Sequence, residues 1–256
     1  MKLYYNNRHC EVLSLSELKT KTKNWKDGFS AASIGRFVLE HDGVARIEEI
    51  VNGILTTIKK NDNEDWASEE AIFEYESIFD NYRHGRMHDL ALRDTKKRGF
   101  VGIEAKVNEP FDSRDIQTAY LSGLLRRVNG KNSDITNRIE SLIRKNNFKK
   151  QNSVSCFAKN HLNLKYQLLF STVGTAIEDA ETCIYMVLVF KTKQYNEVSG
   201  AQNYYDYQSF MESITSERIN NVLDLRKLDV FIDDELKKKK TIYAAYCYVD
   251  ARDWNN

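Results

Sequence analysis

Three residues stand where they could do chemistry together. Asp89 lies in HDLAL, Glu104 follows fifteen residues later in VGIEAKV, and Lys106 is two beyond it. Side chains i and i+2 on a strand face the same way, so Glu104 and Lys106 share a face. A reversal between the two strands brings Asp89 opposite that pair. Two carboxylates and an ammonium at one point suit phosphodiester hydrolysis. Hard oxygen ligands hold Mg2+, which keeps several waters and takes one or two protein carboxylates. Such an ion lowers the pKa of a bound water and stabilises charge on the phosphate. A neighbouring Lys can orient that water or neutralise the developing charge. The bland alternative is a plain ion pair, since an acid two residues before a Lys recurs by chance in many chains. The setting argues for more: FVGIEAKV is an apolar strand, and an acid and a base inside it are costly to bury.

The elements that must position these residues read as follows. Capping residues Ser14 or Ser16 and Ser30 start two short N-terminal helices, the first of them through Thr22. Val44, Ile47, Ile50, Val51, Ile54, Leu55 and Ile58 recur at helical spacing and predict a helix from about Ala45 to Lys59, with Gly53 as its weak point. WASEEAIF predicts another helical turn or two. A meander of three strands follows: a short aromatic one over Tyr75–Tyr82, then Met87–Asp94, then Phe100–Val107, ended by Pro110. RHGR and TKKRG are its reversals, the second with Gly99 as the permissive residue. Helices return at Asp115–Val128, about Ser133–Lys145 and Leu164–Glu181, with FKKQNSVS as an exposed loop. TCIYMVLVFKT predicts a buried central strand. A polar loop, a helix around Tyr207–Ile219 and a last strand, Thr241–Ala251, complete the chain. The expected fold class is therefore α/β, a mixed central sheet flanked by helices. It reads as one domain, with a helical part over 1–60, a core over 61–195 and a helix with strands over 196–256.

At this point the chain resembles the PD-(D/E)XK nuclease superfamily, through Asp89 in HDLAL and Glu104, Ala105 and Lys106 in VGIEAKV. EAKVNEPFD, LKYQLLFSTVGTAIEDAE and NWKDGFSAASIG also look like a little-studied bacterial family of unknown function placed in that superfamily. The likeness is one of motif order and covers about residues 24 to 215. It implies a restriction-endonuclease-like α-β-β-β-α-β core, matching the order read from about Ala45 to Lys193. It implies that Asp89 and Glu104 bind Mg2+ or Mn2+ with help from the Ala105 carbonyl, and that Lys106 positions the water. Many members place a Gln on the helix after the E-x-K strand. Gln167 fits that place, with Gln117 and Tyr120 as a competing pair and a polar residue on a packed helix as the bland reading. Glu74 could complete the metal shell, with Glu70 and Glu76 as rivals. The departure is His88, where the superfamily name expects Pro. It also implies a nucleic-acid partner, DNA foremost, and makes a homodimer an expectation for double-strand cutting.

Composition constrains the partner less. The 256 residues carry 38 basic and 37 acidic side chains, a net charge of +1, so nucleic-acid contact must come from local clusters. The candidates are Lys96, Lys97 and Arg98 between the two site strands, Arg126 and Arg127 at a helix end, and Lys149 and Lys150 in the loop beyond. Each of them more often marks a solvated face. The KKKK run at Lys237–Lys240 reads as a solvated helix end. His84 and His88 have a zinc-like spacing, but no second pair of Cys or His completes a zinc site. Cys10, Cys156, Cys183 and Cys247 form no CxxC, and Cys183 and Cys247 are expected to be buried thiols. No signal-peptide pattern and no membrane-length apolar run occur, so a soluble cytoplasmic protein is expected. GxxxxGK[ST], GxSxG and HExxH are all missing, which disfavours an NTPase, an α/β-hydrolase and a zincin. Three functions remain: a nuclease in restriction, phage defence or repair; a non-catalytic nuclease-fold module that binds nucleic acid or protein; and a metal-dependent enzyme acting on a small phosphate ester.

Overall fold

In the computed structural model, residues 1–7, 10–23, 25–58, 65–82, 84–148, 161–219 and 223–254 are described. Among these, the chain opens with strands rather than helices: β1 (Lys2–Tyr5) and β2 (Cys10–Glu11). Three helices follow, α1 (Leu15–Lys21), α2 (Ser30–Glu40) and α3 (Gly43–Ile58). The Ser14 hydroxyl accepts the Glu17 N–H and caps α1. Gly53 does not interrupt α3, because it faces open space.

A three-strand meander forms as β3 (Glu70–Ser77), β4 (Arg86–Arg93) and β5 (Gly99–Lys106), each antiparallel to the next, but its first strand lies five residues earlier than the expected Tyr75–Tyr82. WASEEAIF is not helical: its second half is β3, which pairs with β1 on one side and β4 on the other. Helices α4 (Ile116–Val128), α5 (Ile135–Lys145) and α6 (Tyr166–Ala176) then lead to β6 (Thr182–Lys191), parallel to β5. Helix α6 stops short of the expected Glu181. FKKQNSVS lies outside the described residues from Lys149 onward. The chain closes with α7 (Glu197–Ile214), β7 (Thr215–Arg218), β8 (Arg226–Phe231) and β9 (Lys239–Asp250). So α7 takes up what read as a polar loop. The Lys237–Lys240 run ends no helix, for its last two residues begin β9.

The nine strands among the described residues make one mixed sheet, ordered β2-β1-β3-β4-β5-β6-β9-β8-β7. Strands β3, β5, β6 and β9 run one way and β4 the other. Helices cover both faces. Cys183, Tyr185, Val187 and Val189 of β6 belong to a core shared with α5, α6 and α7, while Ile184, Met186, Leu188 and Phe190 belong to one shared with α1, α2 and α3. This double burial is why β6 reads as an unbroken apolar run. No described helix is long and apolar enough to cross a membrane. Cys183 and Cys247 are buried free thiols and Cys10 an exposed one; Cys156 lies outside the described residues.

One turn differs in mechanism from its expectation. In TKKRG the left-handed residue is Lys97, with φ 57°. Gly99 is needed for a close approach instead: a Cβ there would stand 2.5 Å from Trp66 Nε1, whose N–H donates to Asp94 Oδ2 at 2.9 Å.

Candidate active site

The site forms where β4 and β5 separate. Their pairing runs from Arg93 and Phe100 to Leu90 and Ile103, with no further paired residues towards Asp89. The Ala105 N–H donates instead to Asp89 Oδ2 at 2.7 Å. A carboxylate thus takes the place of a backbone carbonyl and satisfies a donor that would otherwise be orphaned. The neighbouring strand is irregular at the same level. Glu74 has φ 49°, and the β3–β4 register resumes beyond it with Tyr75 opposite His88. Leu90 lies in the core under α1–α3, whereas His88 rests against Tyr75 and Phe100 of the opposite core. Alternation therefore breaks at Asp89.

Glu104 is the focus. It and Lys106 share the face of β5 that meets α6, as the i and i+2 rule requires. Lys106 Nζ donates to Glu104 Oε1 at 2.7 Å, and Gln167 Nε2, from the first turn of α6, donates to the same oxygen at 2.6 Å. Lys106 Nζ also reaches Gln167 Oε1 at 3.4 Å. The Arg86 guanidinium bonds Glu104 Oε2. These groups are nearly enclosed: Glu104 is 2%, Lys106 5% and Arg86 7% exposed. The Phe111 ring lies 5.2 Å from Lys106 Nζ. Just beyond β5, the Glu109 carboxylate accepts N–H bonds from Val107, Asn108 and Ser30, pinning the exit of the strand to the start of α2.

Burial sets the protonation of the group. It pushes Lys106 down to about 8, against the attraction of Asp89. Burial also raises Asp89, opposed by Lys106 and Arg86. Two acids, Asp89 and Glu104, thus face two bases, Arg86 and Lys106, with Glu109 and Asp112 adding attraction for the Lys106 ammonium. His88 is held neutral, well below 6.5, first by burial and then by Arg86. A His whose folded pKa is depressed takes up its proton on unfolding, so stability falls as pH drops below 6.5 towards the folded value. His88→Leu should therefore lose less thermal stability than wild type between pH 7 and pH 5. An unchanged difference would place the acid sensitivity elsewhere.

Of the residues expected in the site, Asp89, Glu104, Lys106 and Gln167 come together. Glu74 does not join them, because the strand irregularity directs its carboxylate to the Tyr5 hydroxyl, which donates to Oε2 at 2.5 Å. Its rivals are engaged as well, Glu70 with Arg93 and Glu76 with the Gly85 N–H. Among the described residues no group of three or more His, Cys, Asp or Glu is arranged to hold a metal ion. Gln117 is exposed on α4 and Tyr120 bonds Glu140, so neither competes with Gln167. His84 is exposed while His88 is buried, which ends the zinc reading for that pair.

The basic strip beside the site is not formed either. Lys96, Lys97 and Arg98 occupy the turn at the far end of β5, roughly 16 Å along the strand from Glu104. There Lys97 pairs with Asp179 and Arg98 with Asp94. Arg126 and Arg127 are exposed at the end of α4. Lys149 and Lys150 lie outside the described residues. The residue that sequence reading missed is Arg86. Its signal is its place two before His88 on the same strand, where RHGR reads instead as a reversal.

A family model described as a domain of unknown function (DUF6946) matches residues 14–245. The chain belongs to that family. The match takes in every residue of the cluster, from Arg86 to Gln167, and both layers of helices. No curated protein and no solved structure matches the chain.

Proposed function

We propose that the protein is a metal-dependent nuclease of the PD-(D/E)XK kind, hydrolysing phosphodiester bonds in nucleic acid, DNA foremost. The observation that carries this reading is the convergence of Lys106 and Gln167 on Glu104, with Asp89 tied to the next residue, Ala105, across the separated strands. The strand directions support it too: three meander strands, then helices, then a strand parallel to the third.

The donor set suits a hard divalent ion. Asp89 and Glu104 supply two carboxylates, the number Mg2+ takes when it keeps its waters, and the Ala105 carbonyl adds a third oxygen. Bound there, Mg2+ or Mn2+ would supply an activated water and charge stabilisation at the phosphate. The chain's own residues do the rest. Lys106 holds its ammonium beside the reacting phosphate, where it orients the attacking water and offsets charge as the leaving oxygen departs. Gln167 fixes both Glu104 and Lys106, so neither needs to reorganise during the reaction. Phe111 and the chain beyond β5 keep bulk water from Lys106.

A second reading is favoured by one observation. Arg86 already neutralises Glu104, as it would in a module that keeps the fold and binds without cutting. Supercoiled plasmid, linear duplex and single strands, each with Mg2+, Mn2+ or EDTA, separate the two. Cleavage with metal and none with EDTA is expected. Retention of nucleic acid with no turnover in any metal would replace the nuclease reading by the binding module.

A further inference from the structure

Arg86 opens β4, and its guanidinium takes the Glu104 oxygen that Lys106 and Gln167 leave free. Its seat is built into the fold. Helix α6 presents Gly174 against it, and a Cβ at that position would stand 2.6 Å from Arg86 Cβ and 2.9 Å from its Cγ. Among the described residues Arg86 Nε is buried with no hydrogen-bond partner, while Nη2 bonds Glu104 Oε2. With Arg86 present, the cluster sets two bases, Arg86 and Lys106, against two acids, Asp89 and Glu104. A divalent ion entering it would add two positive charges to a nearly enclosed site.

We infer that Arg86 is a resident competitor of the divalent ion: its guanidinium occupies the Glu104 oxygen the ion must bind, so metal loads only as Arg86 leaves. This rests on the nuclease reading and adds what sets its metal affinity. Departure breaks the bond to Glu104 Oε2, and the freed group carries a planar set of donors suited to a phosphate. Ions that bind oxygen and nitrogen sites more tightly displace it more readily, so Mn2+ should load ahead of Mg2+.

Titration calorimetry with Mn2+ tests this on wild type, Arg86→Gln, Gly174→Ala and Glu104→Gln. Arg86→Gln removes the competitor. Gly174→Ala places a methyl 2.6 Å from Arg86 Cβ, which the β4 backbone holds, so α6 and β4 must part at the seat and the guanidinium is drawn off Glu104 with its charge kept. Both should bind Mn2+ at least about tenfold more tightly than wild type, a coupling of ordinary size between two competing cations. If both bind no more tightly than wild type, and Glu104→Gln abolishes binding, the inference falls and the metal site stands. If no protein binds Mn2+ at all, wild type included, both the inference and the nuclease reading fall. Should circular dichroism show Arg86→Gln unfolded, the Gly174→Ala result decides alone.

Discussion

Glu104→Gln should lower metal-dependent cleavage on the order of 10²- to 10³-fold or more, the scale expected when a charge-stabilising group is lost from a water-poor site. The change keeps the length and planarity of the side chain, so geometry alone does not explain the loss. It removes the negative charge on which Lys106 and Gln167 converge and one of the two carboxylates proposed to hold the ion. The same substitution leaves Arg86 and Lys106 buried without their directly bonded acid, with Asp89 the strongest of the carboxylates still acting on them, ahead of Glu109 and Asp112. Breaking a buried ion pair from one side costs about 3–5 kcal/mol, so a lower melting temperature should accompany the lost activity. Activity therefore has to be read below the variant's melting range. Thermal denaturation with and without Mn2+ then isolates the metal: wild type should be stabilised by the ion, as any ligand of the native state does, and Glu104→Gln should not. Cleavage at the wild-type rate by a folded Glu104→Gln protein would sink the site assignment.

Phe37→Ala should destabilise the protein by about 3–5 kcal/mol, the usual cost of emptying a buried aromatic position. Phe37 on α2 is fully buried. Its ring meets Phe190 of β6 edge-on at 5.4 Å and stacks on Trp254 at 5.8 Å. The turn into α3 closes on it as well, since a Cβ at Gly43 would stand 2.5 Å from the Phe37 carbonyl oxygen. One side chain thus joins the N-terminal helices, the central strand and the C-terminal segment. For a chain of this size the loss corresponds to a melting shift of roughly 2–4 °C per kcal/mol. Because α2 also donates the Ser30 N–H to Glu109 beside the site, the loosened helix should reach the active cluster. A cost below about 1 kcal/mol by denaturant unfolding would mean that α2 is not seated on the sheet as described.

Much of the site was legible because its geometry is local. The i and i+2 rule puts Glu104 and Lys106 on one face whatever the rest of the fold does, and a short reversal suffices to bring β4 alongside. Gln167 was suggested by the resemblance, and only the fold, which lays α6 and not the next helix α4 against Glu104, decides for it over Gln117. The buried runs of β5 and β6, and the helical periodicity of α3, α4 and α5, were equally local. The failures have a common cause. Strands β1, β2, β7 and β8 are short and lie at or near the sheet edges, and their formation depends on partners distant in sequence more than on their own residues. Glu69 and Glu70 resemble a helix start until β1 and β4 claim the segment. Glu74, an acid placed just before the expected first meander strand, suggests a metal ligand, whereas it lies within β3 and its positive φ accompanies a carboxylate bonded to Tyr5.

What the sequence by itself determined is the chemical inventory and its pairing on single elements: an acid and a base on one face of an apolar strand, an acid on the strand before, and amphipathic helices enough to cover a sheet. The tertiary structure decided which charges meet. Arg86 reaches Glu104 only because α6 offers Gly174 at the point of contact and because β4 separates from β5 at Asp89. The basic residues of the β4–β5 turn, close to the site in sequence, end at the far end of the strand. Electrostatic neighbours are set by distances in space and by burial, and a linear chain specifies neither until two strands and a helix from a third place have come together.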